Sequence, residues 1–254
     1  MPDVYQKDKL LVKRYATRAE MGAAAAADAQ KAINAVIRER GEVNIVFAAA
    51  PSQNEMLENL LRCEIDWSRV NALHMDEYVG LPEGDPHTFG AYLKEHIFGH
   101  KDFGSVHYIR GGAKDPEAEC LRYAEVLKKY PVDVVCLGIG ENGHIAFNDP
   151  WVADFHDPKA VKMVELDAVC RNQQVHDGCF ASLAEVPTHA ITLTVPALAQ
   201  APHLFCIVPA STKADAVYAT LCGEIGEKTP ATVLRLHEDA VLYLDRDSAA
   251  KLPL

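Results

Sequence analysis

The sequence has no C-x-x-C pair. Its seven cysteines, at 63, 120, 136, 170, 179, 206 and 222, are odd in number, and several sit in apolar runs such as "VVCLG" and "HLFCIVP". They read as buried thiols of a reducing compartment rather than as a disulfide framework. Long apolar runs are also missing: none approaches the roughly 18 residues that span a bilayer. The opening "MPDVYQKDKLLVKRY" lacks the basic-then-apolar pattern of a signal peptide, so a cytoplasmic location is expected. Blocks of like charge are absent too. Charged residues make up 24% of the chain with a net charge of −11, spread without clustering, which leaves no electrostatic footprint for nucleic acid or an anionic membrane. A small anionic substrate is not excluded. Net charge is screened beyond roughly 8 Å, whereas one cation about 4 Å from a phosphate contributes on the order of 4 kcal/mol. No linker rich in Gly, Ser or Pro and no repeat divides the 254 residues, so a single domain over 1–254 is expected.

What the chain does have is ample apolar content, 49%, arranged in alternation. The runs "KLLVKRY", "VNIVFAAA", "VNALHM", "VDVVCLGIG", "VKMVELD", "ITLTV", "HLFCIVP" and "AVLYLD" read as strands, and helical patterns cover 17–40, 53–63, 89–98, 115–129 and 211–222. Near-continuous apolar strands alternating with helices predict an α/β fold of three layers, αβα, with a mostly parallel, Rossmann-like sheet covered on both faces. Ligands of such sheets bind at the carboxyl ends of the strands. Three loops therefore matter most: "AAAPSQNE" after 43–50, "HMDEYVGLPEGDPHTFG" after 71–75, and "GIGENGHIAFNDP" after 132–137.

The last of these spells G-x-G-x-x-G at Gly138, Gly140 and Gly143. A dinucleotide site needs its third glycine inside a helix, and here Pro150 follows only seven residues after Gly143. Glu165 and Asp167 lie where a ribose-binding carboxylate belongs, which is the one feature in favour of that reading. The alternative is that the glycines admit a small ligand while His144 and Asp149 enter the same turn, histidine being the side chain best suited to move protons near neutral pH.

"GIGENGHIAFNDP" resembles the signature of the glucosamine-6-phosphate deaminase family, and "LHMDEYVGLPEGDPHTFGAYLKEHIF" resembles the same family's M-D-E-Y-V-G-L segment. The related 6-phosphogluconolactonases share the G-H turn but neither "IAFN" nor "MDEYVGL". The resemblance implies an aldose–ketose isomerase/deaminase that converts a hexosamine 6-phosphate, glucosamine 6-phosphate or an epimer, to a ketohexose 6-phosphate and ammonia, without a cofactor and without a catalytic metal. It makes Asp76 the base at C2 and His144 the ring-opening group, with Asp149 and Asn142 as its neighbours. It makes Lys213 the phosphate lysine, with Ser52, Gln53, Asn54, Glu77, Gly140 and Gly143 completing the substrate-binding set. Arg171 is the candidate for the family's phosphate arginine.

Each assignment competes with a plainer one. Asp76 would otherwise cap a turn, and Lys213 would be a solvated surface lysine. His74, Asp76, His144 and Asp149 are imaginable metal ligands, but no H-x-x-x-H or H-E-x-x-H spacing supports them. Two positions depart from the family, which has Asp where Asn142 stands and Glu where Asp149 stands. Asn142 brings no charge to stabilise an imidazolium, and Asp149 reaches about 1.5 Å less far. On charge alone Asn142→Asp is expected to raise turnover. "APSQNE" keeps donors but lacks the glycines of a tight phosphate loop. The competing functions are a 6-phosphogluconolactonase-type hydrolase and a sugar-phosphate-binding protein of weakened catalysis. The partner in every case is a small phosphorylated sugar, and a homo-oligomer is compatible with the sequence.

Overall fold

The computed structural model describes residues 2–82 and 84–253. An antiparallel hairpin, β1 (Asp3–Lys7) and β2 (Leu10–Arg14), leads into the long helix α1 (Arg18–Arg40). A reciprocal capping box between Thr17 and Glu20 starts α1, and left-handed Gly41 ends it. There follow β3 (Val43–Phe47), α2 (Asn54–Leu61), β4 (Val70–His74), β5 (Asp76–Tyr78), α3 (Phe89–Leu93), β6 (Ser105–His107) and α4 (Pro116–Lys129). The chain continues through β7 (Val134–Leu137), β8 (Val161–Glu165), α5 (Ala168–His176), β9 (His189–Leu193), α6 (Val195–Ala199), β10 (His203–Val208), α7 (Ala214–Cys222) and β11 (Ala240–Leu244).

Eight strands form one sheet in the order β1-β2-β11-β10-β7-β3-β4-β6, parallel throughout except for the β1–β2 hairpin. Its strands β3, β4, β7 and β11 are buried at every position, as strands covered on both faces must be. Successive residues serve opposite faces. Val46, Leu73, Val135, Cys206 and Leu242 pack against α4, α6 and α7, while Ile45, Phe47, Val134, Ile207 and Tyr243 pack against α1 and α2. The three-layer arrangement expected from the sequence is thus present.

One part of the expectation is corrected. The runs at 161–167 and 191–195 do not join the main sheet; β8 and β9 pair with β5 in a separate antiparallel sheet of order β5-β9-β8. Apolar periodicity reports that a strand is buried, not which partner it pairs with. The small sheet is what carries Asp76, opposite Thr192 on β9, to the carboxyl edge of the large one. The strand calling for a ribose carboxylate is therefore not beside β7, and Asp167 instead caps α5 by accepting from the Cys170 amide.

Candidate active site

Beyond β3, β4 and β7 lies a cleft open to solvent, with a cavity volume of about 60 Å³. Asp76, His144, Gly140, Ser52 and Lys213 line it, as do Phe89, Phe147, Gln173, Gln174 and Asp177. Residues far apart in sequence thus meet where a parallel sheet presents its strand ends.

Asp76 opens β5 and is almost entirely buried, yet its carboxylate takes no hydrogen bond among the described residues. Burial, followed by the charge of Glu77, pushes its pKa well above the usual carboxylate range. Its backbone is fixed from the preceding strand. The His74 ring bonds the Asp76 carbonyl through Nδ1 at 2.9 Å and accepts the Ile109 amide at Nε2. Burial lowers the His74 pKa to about 4, so the imidazole is neutral and structural, and it does not face the cleft.

His144 stands in the turn after Gly143, whose φ of 86° suits glycine. Its ring lies flat over Gly140: a Cβ there would come within 2.1 Å of the imidazole. The glycines of the G-x-G-x-x-G run therefore make room for a histidine, not for a pyrophosphate, and no helix follows them. The turn is closed by Asn148, whose amide donates to the Ile145 and Leu193 carbonyls, and by the Phe147 amide donating to Thr192. Ala146, within this turn, holds a φ of 47°, a left-handed conformation unusual for a residue with a Cβ.

Asn142 proves to be a connector. Its Oδ1 accepts the His144 amide at 3.0 Å and lies 2.7 Å from Nδ1, while its Nδ2 donates to Asp149 Oδ1 at 2.7 Å. Asp149 Oδ1 is itself 3.0 Å from His144 Nδ1. The Nδ1 proton is thereby shared between an amide oxygen and a carboxylate, which fixes the tautomer and leaves Nε2 for the cleft. Burial raises the Asp149 pKa, but the bonds from His144 and Asn142 outweigh it and hold the carboxyl below its ordinary value.

Lys213 ends the short turn Ser211–Lys213 that leads into α7. It is 5% exposed and makes no ion pair among the described residues, so its ammonium is kept for the cleft. Burial lowers its pKa, and the charges of Asp177 and Glu141 oppose that shift. It is not the solvated surface lysine of the plainer reading.

Other sequence candidates lie outside the lining. Gln53 is buried, donating to Ser52 Oγ and the Ile207 carbonyl, and Asn54 Oδ1 accepts from the Tyr92 hydroxyl. Glu77 accepts the Tyr78, Phe89 and Gly90 amides and so ties β5 to α3. Arg171 donates to the Leu183 and Val186 carbonyls, holding the 179–188 loop rather than facing the cleft. Its neighbours on α5 are the residues that sequence reasoning missed. Gln174 Oε1 accepts the Tyr78 hydroxyl at 2.7 Å, which turns its NH₂ group toward the cleft. Gln173 binds the Glu141 amide and Asp177. An N-cap signal was available at Asp167, and it would have located the helix that presents them.

The family described as glucosamine-6-phosphate isomerases/6-phosphogluconolactonase matches residues 16–243. A glucosamine-6-phosphate deaminase of Listeria monocytogenes serotype 4a is 35% identical over 213 residues, 84% of this chain and 89% of the relative. One from Bacillus cereus is 35% identical over 218 residues, 86% of this chain and 81% of the relative. Among solved structures, a monomeric glucosamine-6-phosphate deaminase superposes with a TM-score of 0.85 at 28% identity, covering 94% of this chain and 98% of that one. A 6-phosphogluconolactonase from Thermotoga maritima has a TM-score of 0.76 at 17% identity over 93% of this chain and 100% of its own, a likeness of fold alone. With the family matched over most of its length, this chain belongs to the glucosamine-6-phosphate isomerase/6-phosphogluconolactonase family.

Proposed function

We propose that this enzyme converts a hexosamine 6-phosphate, with glucosamine 6-phosphate as the first candidate, to a ketohexose 6-phosphate and ammonia. Asp76 takes the C2 proton and returns it at C1. His144, steadied by Asn142 and Asp149, moves the proton of the anomeric hydroxyl to the ring oxygen as the ring opens. Water adds at C2 as the nitrogen leaves, so substrate and water account for ketose phosphate and ammonia. Lys213 takes the phosphate, with Ser52 and the Gln174 amide as further donors. The chain works as one domain on this reading, with the phosphorylated sugar as its partner.

The observation that carries the proposal is Asp76: a buried carboxylate without a hydrogen bond among the described residues, in the same cleft as an oriented imidazole. Such a group is a base made stronger by desolvation. A lactone hydrolase would need only the imidazole to activate water. Asp76→Asn keeps the shape and removes the base, so ammonia release from glucosamine 6-phosphate should fall by at least about a hundredfold, roughly 2.7 kcal/mol, with binding little changed. Retention of more than a tenth of kcat, or acid release from a phosphogluconolactone without any ammonia release from the aminosugar, would defeat the assignment.

A further inference from the structure

The side of His144 away from the cleft holds two features that the proposed reaction leaves unused, the Cys170 thiol and the second oxygen of Asp149. Asp149 is fully buried, and its second oxygen, Oδ2, has no hydrogen-bond partner among the described residues. Cys170, in the first turn of α5 and 1% exposed, brings its thiol to the same place. His144, Asp149 and Cys170 each offer one ligand atom within 4.8 Å of the other two. A fourth donor stands beside them, because Asn142 Oδ1 is 2.7 Å from His144 Nδ1.

We propose that His144, Asp149 and Cys170, with the Asn142 amide oxygen, form a binding site for a thiophilic divalent ion such as Zn²⁺, and that its occupation shuts the enzyme down. The donor set is one sulfur, one imidazole nitrogen and two oxygens, a composition that favours zinc or cobalt over magnesium or calcium. Charge supports it as well. Burying a bare dication is prohibitive, but the Asp149 carboxylate and a Cys170 thiolate together cancel a charge of +2. A tetrahedral site with metal–sulfur near 2.3 Å and metal–nitrogen near 2.0 Å places its ligands roughly 3.3–3.7 Å apart. Atoms as far apart as 4.8 Å must therefore draw in by about 1–1.5 Å, while the Asp149 and Asn142 oxygens, at 3.0 and 2.7 Å from His144 Nδ1, must open by about 0.3–1 Å, shifts of the size that side-chain rotation gives. His144 lines the cleft, so an entry path exists.

Binding balances simply. The thiol proton leaves to solvent as the metal–sulfur bond forms, and the imidazole stays neutral by carrying its proton on Nε2 instead of Nδ1. That second change is the inhibitory one, since a protonated Nε2 cannot accept the proton of the sugar hydroxyl. Binding stands on the geometry alone, while inhibition rests on His144 as the proposed proton carrier.

The test is titration of the whole, metal-free protein with Co²⁺. A near-ultraviolet thiolate-to-cobalt charge-transfer band with intense tetrahedral visible bands is expected, and Cys170→Ser should lose the charge-transfer band and raise the zinc concentration for half-inhibition at least tenfold. No sulfur band in the native protein, or equal zinc sensitivity in Cys170→Ser, overturns the site. Should Cys170→Ser not fold, His144→Asn is read in the same titration: at least tenfold weaker cobalt binding supports the site, and unchanged binding overturns it. Metal binding that gives the sulfur band but leaves turnover intact overturns the inhibition, and with it the role given to His144.

Discussion

At the residue scale the most informative position is Asn142. Charge alone would credit Asn142→Asp with faster turnover, but the geometry reverses the sign. Asn142 Nδ2 is 2.7 Å from Asp149 Oδ1, so a carboxylate there would set two like charges in contact and retain a proton between them. Asn142→Asp should lower kcat/KM at least about tenfold, roughly 1.4 kcal/mol, and move the acidic limb of the pH profile upward. Adding Asp149→Glu should restore activity by re-spacing the pair, and a double-mutant cycle measures that coupling. Glu77 offers a second residue-scale test. It is pushed up to about 7 by burial against three amide donors, and its charge in turn raises Asp76. A base works only when ionised, so Glu77→Gln should move the acidic limb of kcat/KM to lower pH. An unmoved limb would mean that Asp76 is not the group being titrated. The two motifs whose residues meet in the cleft were readable in the sequence because each is a continuous stretch. The bond from Asn142 to Asp149 was not, because it depends on the path of a turn whose closure uses Thr192 and Leu193 from a distant strand.

At the scale of elements, α5 and the turn after β7 decide the site. Helix α5 escaped the periodicity because its apolar positions are few, and it is held by a capping aspartate and polar contacts. Its Gln174 is aimed by the Tyr78 hydroxyl, from β5. Tyr78→Phe removes that bond and leaves a buried carbonyl bare, at about 1–3 kcal/mol. It should lower the unfolding temperature and raise KM for the phosphorylated sugar more than it lowers kcat; an unchanged KM would place the Gln174 amide outside the substrate contacts. In the turn, Gly140→Ala puts a methyl where the imidazole lies. It should reduce kcat at least about a hundredfold, near 2.7 kcal/mol, without a matching loss of stability, as activity and thermal melting together will show. Strands of the large sheet were legible because burial on both faces writes an apolar run. The small sheet was misread for the same reason, since β8 and β9 are apolar too but face a different partner.

At the scale of the molecule, the acidic pair Asp76 and Glu77 links fold stability to pH. Both carboxyls have raised pKa values in the folded state, so the folded chain binds more protons than the unfolded one between their two sets of values. Their contribution is full below about pH 4 and is lost as the pH rises through about 7, where Glu77 titrates. The melting temperature of the native protein should fall across that window more steeply than that of Glu77→Gln; parallel curves would show that the pair is not responsible.

The strand order also dictates what a growing chain can and cannot complete. β2 touches β3, β4 and β7 only through β10 and β11, because the order is β2-β11-β10-β7. The amino-terminal hairpin must therefore wait for residues 203–244, near the other end of the chain, before its parallel edge is paired. At about 5–20 residues per second, some 200 residues separate the two events, an interval on the order of 10–40 s. During it β2 exposes an open edge, as β7 does from its own emergence until β10 arrives, and Lys13 and Arg14 on β2 supply the charge that discourages pairing with a stranger.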